Sequence, residues 1–113
     1  MIPVSLTARQ ARRIWLTAQK LDQTAPFGAG ADAVASAIAH LGYVQIDTIN
    51  VVERCHHHIL WSRIPDYRRA DLAQAQSHDK SVFEYWTHAL SYVATADIRF
   101  FLPDMRDEQI APL

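Results

Sequence analysis

The stretch SVFEYWTHALSYV, residues 81–93, sets two short runs of aromatic and β-branched residues end to end, the composition of paired strands. A β-hairpin is expected here even though its turn holds neither Gly nor Asn. Upstream the pattern is helical. Thr7 and Gln10 fit a capping box, and Ala11, Ile14, Trp15 and Ala18 recur on one face, predicting a first helix from about Ala8 to Leu21. The loop TAPFGAGA follows, and Asp32 is expected to cap a second helix with an apolar face of Val34, Ala37, Ile38 and Leu41. Gly42 then ends it as a left-handed C-terminal cap. YVQI, residues 43–46, reads as extended. From about Asn50 to Ile64, Val52, Cys55, Ile59 and Ser62 trace a third helical stripe closed by Pro65, and a short helix carries Leu72 and Ala75. Beyond the hairpin, Thr95 is expected to cap a last helix with Ile98, Phe101, Leu102 and Met105, kinked or restarted at Pro103. Helices, a hairpin and another helix give a mainly α chain with a small β-hairpin (α+β). That is the element order of a winged helix-turn-helix domain with the hairpin as wing.

A chain of 113 residues predicts one domain. Half its residues are hydrophobic and a fifth charged, which suits a folded domain and excludes a disordered tail. Its net charge of −1 excludes a global basic field. The charge is uneven, however: residues 1–63 carry six Lys/Arg against four acids, and residues 64–113 carry five against eight. The first half is therefore the expected anion-facing half. Cys55 is the single cysteine, which excludes an internal disulfide and fits a reducing compartment. No apolar run approaches the ~20 residues of a membrane span, so a cytoplasmic protein is expected.

The run His56-His57-His58 invites a zinc reading. Metal ligands on a helix share a face at i,i+3 or i,i+4, whereas consecutive residues step ~100° apart. Only Cys55 with His58 has the spacing, and two ligands make a weak site, so no metal and no cofactor is expected. Arg54 and His57, at i,i+3, can jointly face an anion. In an extended segment Gln45 and Asp47 project to the same side while Ile46 turns inward. An amide beside a carboxylate can orient or activate one water and stabilise a nearby cation. Spacing alone favours a plainer role for Asp47, as an N-terminal cap ahead of the third helix. Glu84, set among Phe83, Tyr85 and Trp86, needs a partner, and Arg63 or Arg99 is the expected one.

The blocks LGYVQIDTINVVERCHHHILWSRIPDY, VFEYWTHALSYV and DIRFFLPDM, in this order and spacing, resemble the N-terminal part of the winged-helix DNA glycosylases of the YcaQ/AlkZ type, the interstrand-crosslink repair family. The resemblance spans about Ser5 to Met105. It implies removal of bulky N7-alkylated purines, crosslinked ones included, from damaged double-stranded DNA, without metal or nucleophilic Lys. The family's signature is a Gln, a hydrophobic residue, then Asp or Gln; Gln45, Ile46 and Asp47 match its Asp form, so Gln45 and Asp47 are implied to be catalytic, which reverses the cap reading of Asp47. Around the signature, Thr48, Arg54, His57 and Arg63 are read as DNA contacts. The resemblance also implies that residues 1–113 form a single winged-helix domain, the N-terminal part of a longer chain of such domains. An apolar face left by absent neighbours then invites self-association. The other reading is a non-catalytic winged-helix module for DNA or protein binding, in which the third helix reads a groove and Asp47 only caps.

Overall fold

The computed structural model describes residues 3–46, 54–87 and 89–110. The elements run α1 (Ala8–Ala18), α2 (Gly30–Leu41), β1 (Val44–Gln45), α3 (Cys55–Trp61), α4 (Arg69–Ser77), β2 (Val82–Trp86), β3 (Leu90–Ala94), a 3-10 helix (Thr95–Phe100) and α5 (Leu102–Ile110). The architecture is α+β, as the pattern predicts. The hairpin is larger than expected, because β1 joins it to make a three-stranded antiparallel sheet in the order β1-β3-β2.

Local chemistry explains most element ends. The Thr7 hydroxyl accepts from the Gln10 amide and the Gln10 side chain accepts from the Thr7 amide, so the expected capping box starts α1. Gly42, at φ +88°, ends α2 and returns its N–H to the Ile38 carbonyl, a backbone turn that glycine makes without strain. Asp32 does not cap α2. The cap position is Ala29, whose side chain makes no cap bond, and Asp32 lies one turn in, where a carboxylate still favours the positive end of the helix dipole. Thr95 does not cap either. It is the first residue of the 3-10 helix, and its hydroxyl donates to the Lys80 carbonyl while its N–H donates to that of Ser81. Pro103 falls in the first turn of α5, where its missing N–H would have had no helical partner. The chain thus restarts rather than kinks there.

The core lies between α2, α4 and one face of the sheet. Val34, Ala37 and Ile38 of α2 meet Leu72 and Ala75 of α4, Val44 of β1, Val82 of β2 and Tyr92 of β3, all buried. Leu60 of α3 and Ile64 close the cluster. β3 is central and covered on both faces, Ser91 and Val93 being as buried as Tyr92. Its second face carries Phe83 and Tyr85 of β2, whose rings meet Phe101 at 6.3 and 5.4 Å between centroids.

The buried face of α3 differs from the expected stripe. Val52 lies outside the described residues, Cys55 and Ser62 are exposed, Ile59 is half-buried, and His56 and Leu60 are the buried pair. The imidazole of His56 packs as an aromatic body on Tyr92, 5.7 Å between centroids, which a hydrophobic count of the sequence overlooks. Glu84 differs as well. It is exposed and accepts from the Gln76 side-chain amide at 3.1 Å, and neither Arg63 nor Arg99 is its partner in that bond. Burial pushes the neighbouring Tyr92 phenol up from its ordinary value; the Glu84 carboxylate adds to this and Arg54 opposes it. Among the described residues no helix is long and apolar enough to cross a membrane.

Candidate functional site

The site is built on β1 because three neighbours fix that short strand. Val44 is opposite Tyr92 and Gln45 opposite Ser91, and the Ile46 N–H donates to the Leu90 carbonyl at 2.9 Å. Val44 is buried in the core and Ile46 half-buried against it. The alternation of a strand therefore sends Gln45 the other way, and its side chain is exposed. Asp47 and Thr48, which follow directly, lie outside the described residues.

Gln45 opens onto a cleft of about 470 Å³ whose polar wall is Gln19, His40, Tyr43 and Arg63. Such a volume is within the range of small-molecule sites and can admit one nucleotide unit. The cleft exists because two hydrogen-bonded ties hold the end of α1 over the sheet edge. His40, at the end of α2, donates from Nε2 to the Ala18 carbonyl at 2.7 Å. Arg63 donates from Nε to the Gln19 carbonyl at 2.8 Å, from Nη2 to the Gln19 side-chain oxygen at 3.3 Å, and from Nη1 to the Ile59 carbonyl at 2.9 Å.

Arg63 is only 6% exposed. Burial lowers its guanidinium pKa, yet a guanidinium remains charged at neutral pH. Its donors reach Gln19 at the end of α1 and Ile59 in α3, so its place is a clamp between α1 and α3 at the cleft wall. We expect Arg63→Ala to cost about 1.5–3 kcal/mol, the range for hydrogen bonds to a charged group. Arg63→Lys should recover little, since one ammonium cannot span the fork. Urea midpoints give the cost, and limited trypsin digestion after Arg12 or Arg13 should accelerate in the variant.

The remaining predicted residues separate. Arg54 caps α3 through its backbone and is exposed. His57 is half-buried and shares a hydrogen bond through Nδ1 with the Tyr67 hydroxyl at 2.6 Å. His58 is exposed and His56 buried, while the His56 and His57 rings lie 4.2 Å apart between centroids, so the run packs as aromatic rings and presents no shared ligand face. Among the described residues no three His, Cys, Asp or Glu side chains lie together in a way that could hold a metal ion. A chelator should leave the melting temperature unchanged, and a fall of several degrees in EDTA would show otherwise.

Gln19, His40 and Tyr43 were not predicted as cleft residues. Tyr43 and His40 flank Gly42, and that proximity to the strand carrying Gln45 was the available signal. Gln19 had none, because its contact with Arg63 joins residues 44 positions apart.

No solved structure matches the chain. A family model described as DNA glycosylase AlkZ-like matches residues 38–112, roughly two thirds of the sequence. That stretch holds the end of α2, the strand with Gln45, α3, α4 and the whole hairpin, which is the scaffold of the cleft apart from the end of α1. Members of this family are DNA repair glycosylases, which makes DNA the partner implied for the chain. On a match of that extent the chain belongs to the AlkZ-like DNA glycosylase family.

Proposed function

We propose that the chain hydrolyses the N-glycosidic bond of bulky N7-alkylated purines, interstrand crosslinks included, in damaged double-stranded DNA, with Gln45 and Asp47 as its catalytic residues. The observation that carries the reading is Gln45, exposed at the mouth of a cleft on a strand whose backbone is fixed by β3. An N7-alkylpurine is cationic before reaction. Its C1′–N9 bond breaks with the electron pair passing to the base, which leaves neutral without an acid to protonate it. The sugar becomes oxocarbenium-like. The Asp47 carboxylate offsets that charge and takes a proton from the water whose oxygen bonds to C1′, leaving an abasic site. The Gln45 amide, with one donor and one acceptor end, holds the water and the sugar. A base tied to the opposite strand cannot turn into an enclosed pocket, and a cleft with Gln45 exposed at its mouth suits it.

Thr48, Arg54 and His57 are the proposed DNA contacts. Arg63, buried, serves DNA by keeping the cleft wall in place. The element order, with helices preceding a hairpin, supports a winged helix as the domain that residues 1–113 form. The lone Cys55 and a DNA partner fit a cytoplasmic location.

The test is release of base from a duplex carrying a single bulky N7-alkylguanine. Base release that is lost in Asp47→Asn supports the reading. Sequence-selective binding to intact duplex with no base release would replace it with a non-catalytic binding module.

A further inference from the structure

We propose that α1 is a DNA-backbone track leading away from the cleft, with Arg9, Arg12 and Arg13 meeting the phosphates beside the lesion. The helix lies outside the stretch matched by the family model. The inference needs DNA as the partner and is independent of the chemistry assigned to Gln45 and Asp47.

The three arginines stand at i, i+3 and i+4, so they share one face. All are exposed, and among the described residues none has an ion-pair partner. Residues 1–21 contain no Asp or Glu at all. The nearest acid in sequence, Asp22, accepts from the Thr17 hydroxyl at 2.8 Å. Nothing acidic occupies the first turn of α1, where a carboxylate would favour the helix and cations work against its dipole. Like charges one turn apart add to that disadvantage. A helix so arranged is poorly balanced until an anion covers it.

The geometry makes a path. Gln19 lines the cleft that holds Gln45 and also a groove of about 390 Å³ along α1 with Leu16, Trp15 and Arg12. Further along, a hollow of about 320 Å³ is lined by Arg9, Gln10 and Arg13. The 11 residues of α1 extend about 16 Å, against a strand that presents one phosphate per ~3.4 Å of axis. A backbone leaving the cleft therefore passes an apolar floor and reaches three guanidiniums in succession. Arginine's planar fork suits phosphate oxygens.

The test is binding of the full chain to an undamaged 20-bp duplex, by fluorescence anisotropy across a KCl series. Combining Arg9→Ala, Arg12→Ala and Arg13→Ala should make the slope of log Kobs against log salt shallower by about 2.7, three phosphates at ~0.9 each, and weaken binding near 0.1 M salt by on the order of a hundredfold. A charge-matched control, Lys80→Ala with Arg99→Ala and Arg106→Ala, should change the slope by less than one. Circular dichroism confirms that both variants fold. Equal slopes in the arginine variant and the wild type, equal flattening by the control, or no duplex binding by the wild type would each overturn the proposal. So would concentration-dependent dimerisation through Ile14 and Trp15 with a slope indifferent to the arginines. Asp47→Asn run alongside separates the two readings: a wild-type slope without base release leaves α1's role standing, and loss of the arginine effect with release intact removes that role alone.

Discussion

Leu60→Ala is expected to destabilise the domain by about 3–5 kcal/mol, the upper part of the range for a buried Leu truncated to Ala. Leu60 is wholly buried, and it belongs to the one cluster shared by α2, α4 and the sheet. Its helix is short, seven residues from Cys55 to Trp61, with no side-chain cap bond at its start. Such a helix has little stability of its own and depends on tertiary packing. His56 and Leu60 are its only buried residues, so neighbouring side chains have few ways to collapse onto the space Leu60 leaves. For a domain of this size a loss of that order lowers Tm by roughly 12–40 °C, at about 4–8 °C per kcal/mol. It consumes much of the ~5–15 kcal/mol that folded domains typically hold. Phe100→Ala is the comparison, its ring being 65% exposed; it should move Tm by no more than a few degrees. Because α3 packs on β1, Leu60→Ala should also loosen the strand that carries Gln45. Calorimetry of the two variants decides the matter, and similar melting temperatures would show that α3 is not held by its core face.

What the sequence made legible divides by range. The Thr7–Gln10 box, the Gly42 stop, the apolar face of α2 and the paired runs of residues 81–93 all rest on interactions between near neighbours, and each was found where its residues predicted. Apart from Asp32, failures arose where a distant residue decided the outcome. Asp32 had the right chemistry for a cap, but the chain enters α2 three residues earlier, with Ala29 at the cap position and Gly30 at φ +82°, so the carboxylate arrives inside the first turn. Glu84 was assigned an arginine because charge pairing is the commonest remedy for a carboxylate among aromatics. In the fold it points outward and meets Gln76 of α4. The face of α3 was misjudged because His56 was counted as polar, while its ring packs on Tyr92. β1 was expected to be extended, but nothing local announces that a two-residue strand will pair with β3.

The candidate site was legible in the same uneven way. Gln45 came from a motif, and a motif says nothing of the cleft it faces. That cleft depends on His40 reaching Ala18 and Arg63 reaching Gln19, contacts across 22 and 44 residues. Arg63 was read as a DNA contact beside the signature, and the fold adds that its guanidinium bonds Gln19 and Ile59 across the cleft wall. The arginines of α1, which have no ion-pair partner among the described residues, carried the opposite signal. A run without acids was visible from the start, but only the fold shows that it adjoins the cleft through Gln19.

Asp47→Asn is expected to slow base release by on the order of 10²–10⁴-fold, the range for removing a positioned catalytic base or a charge aimed at the transition state. At 25 °C that is about 3–5 kcal/mol of barrier. The amide that replaces the carboxylate has nearly the same shape, so DNA affinity should change little. What it loses is the negative charge that grows in value as the sugar becomes cationic, an interaction much stronger in the transition state than in the bound ground state. The effect should therefore fall on kcat and on kcat/KM together, with KM almost unmoved. Gln45→Ala should cost less, about 10–10²-fold, because it removes hydrogen bonds that orient the water and leaves the charge in place. The two losses should not add, since both act on one water. Single-turnover assays on a duplex with one N7-alkylguanine, run on both variants and their double, read all three quantities. An Asp47→Asn variant as fast as the wild type would remove the carboxylate from the mechanism. A variant slowed only through weaker DNA binding would make Asp47 a docking residue.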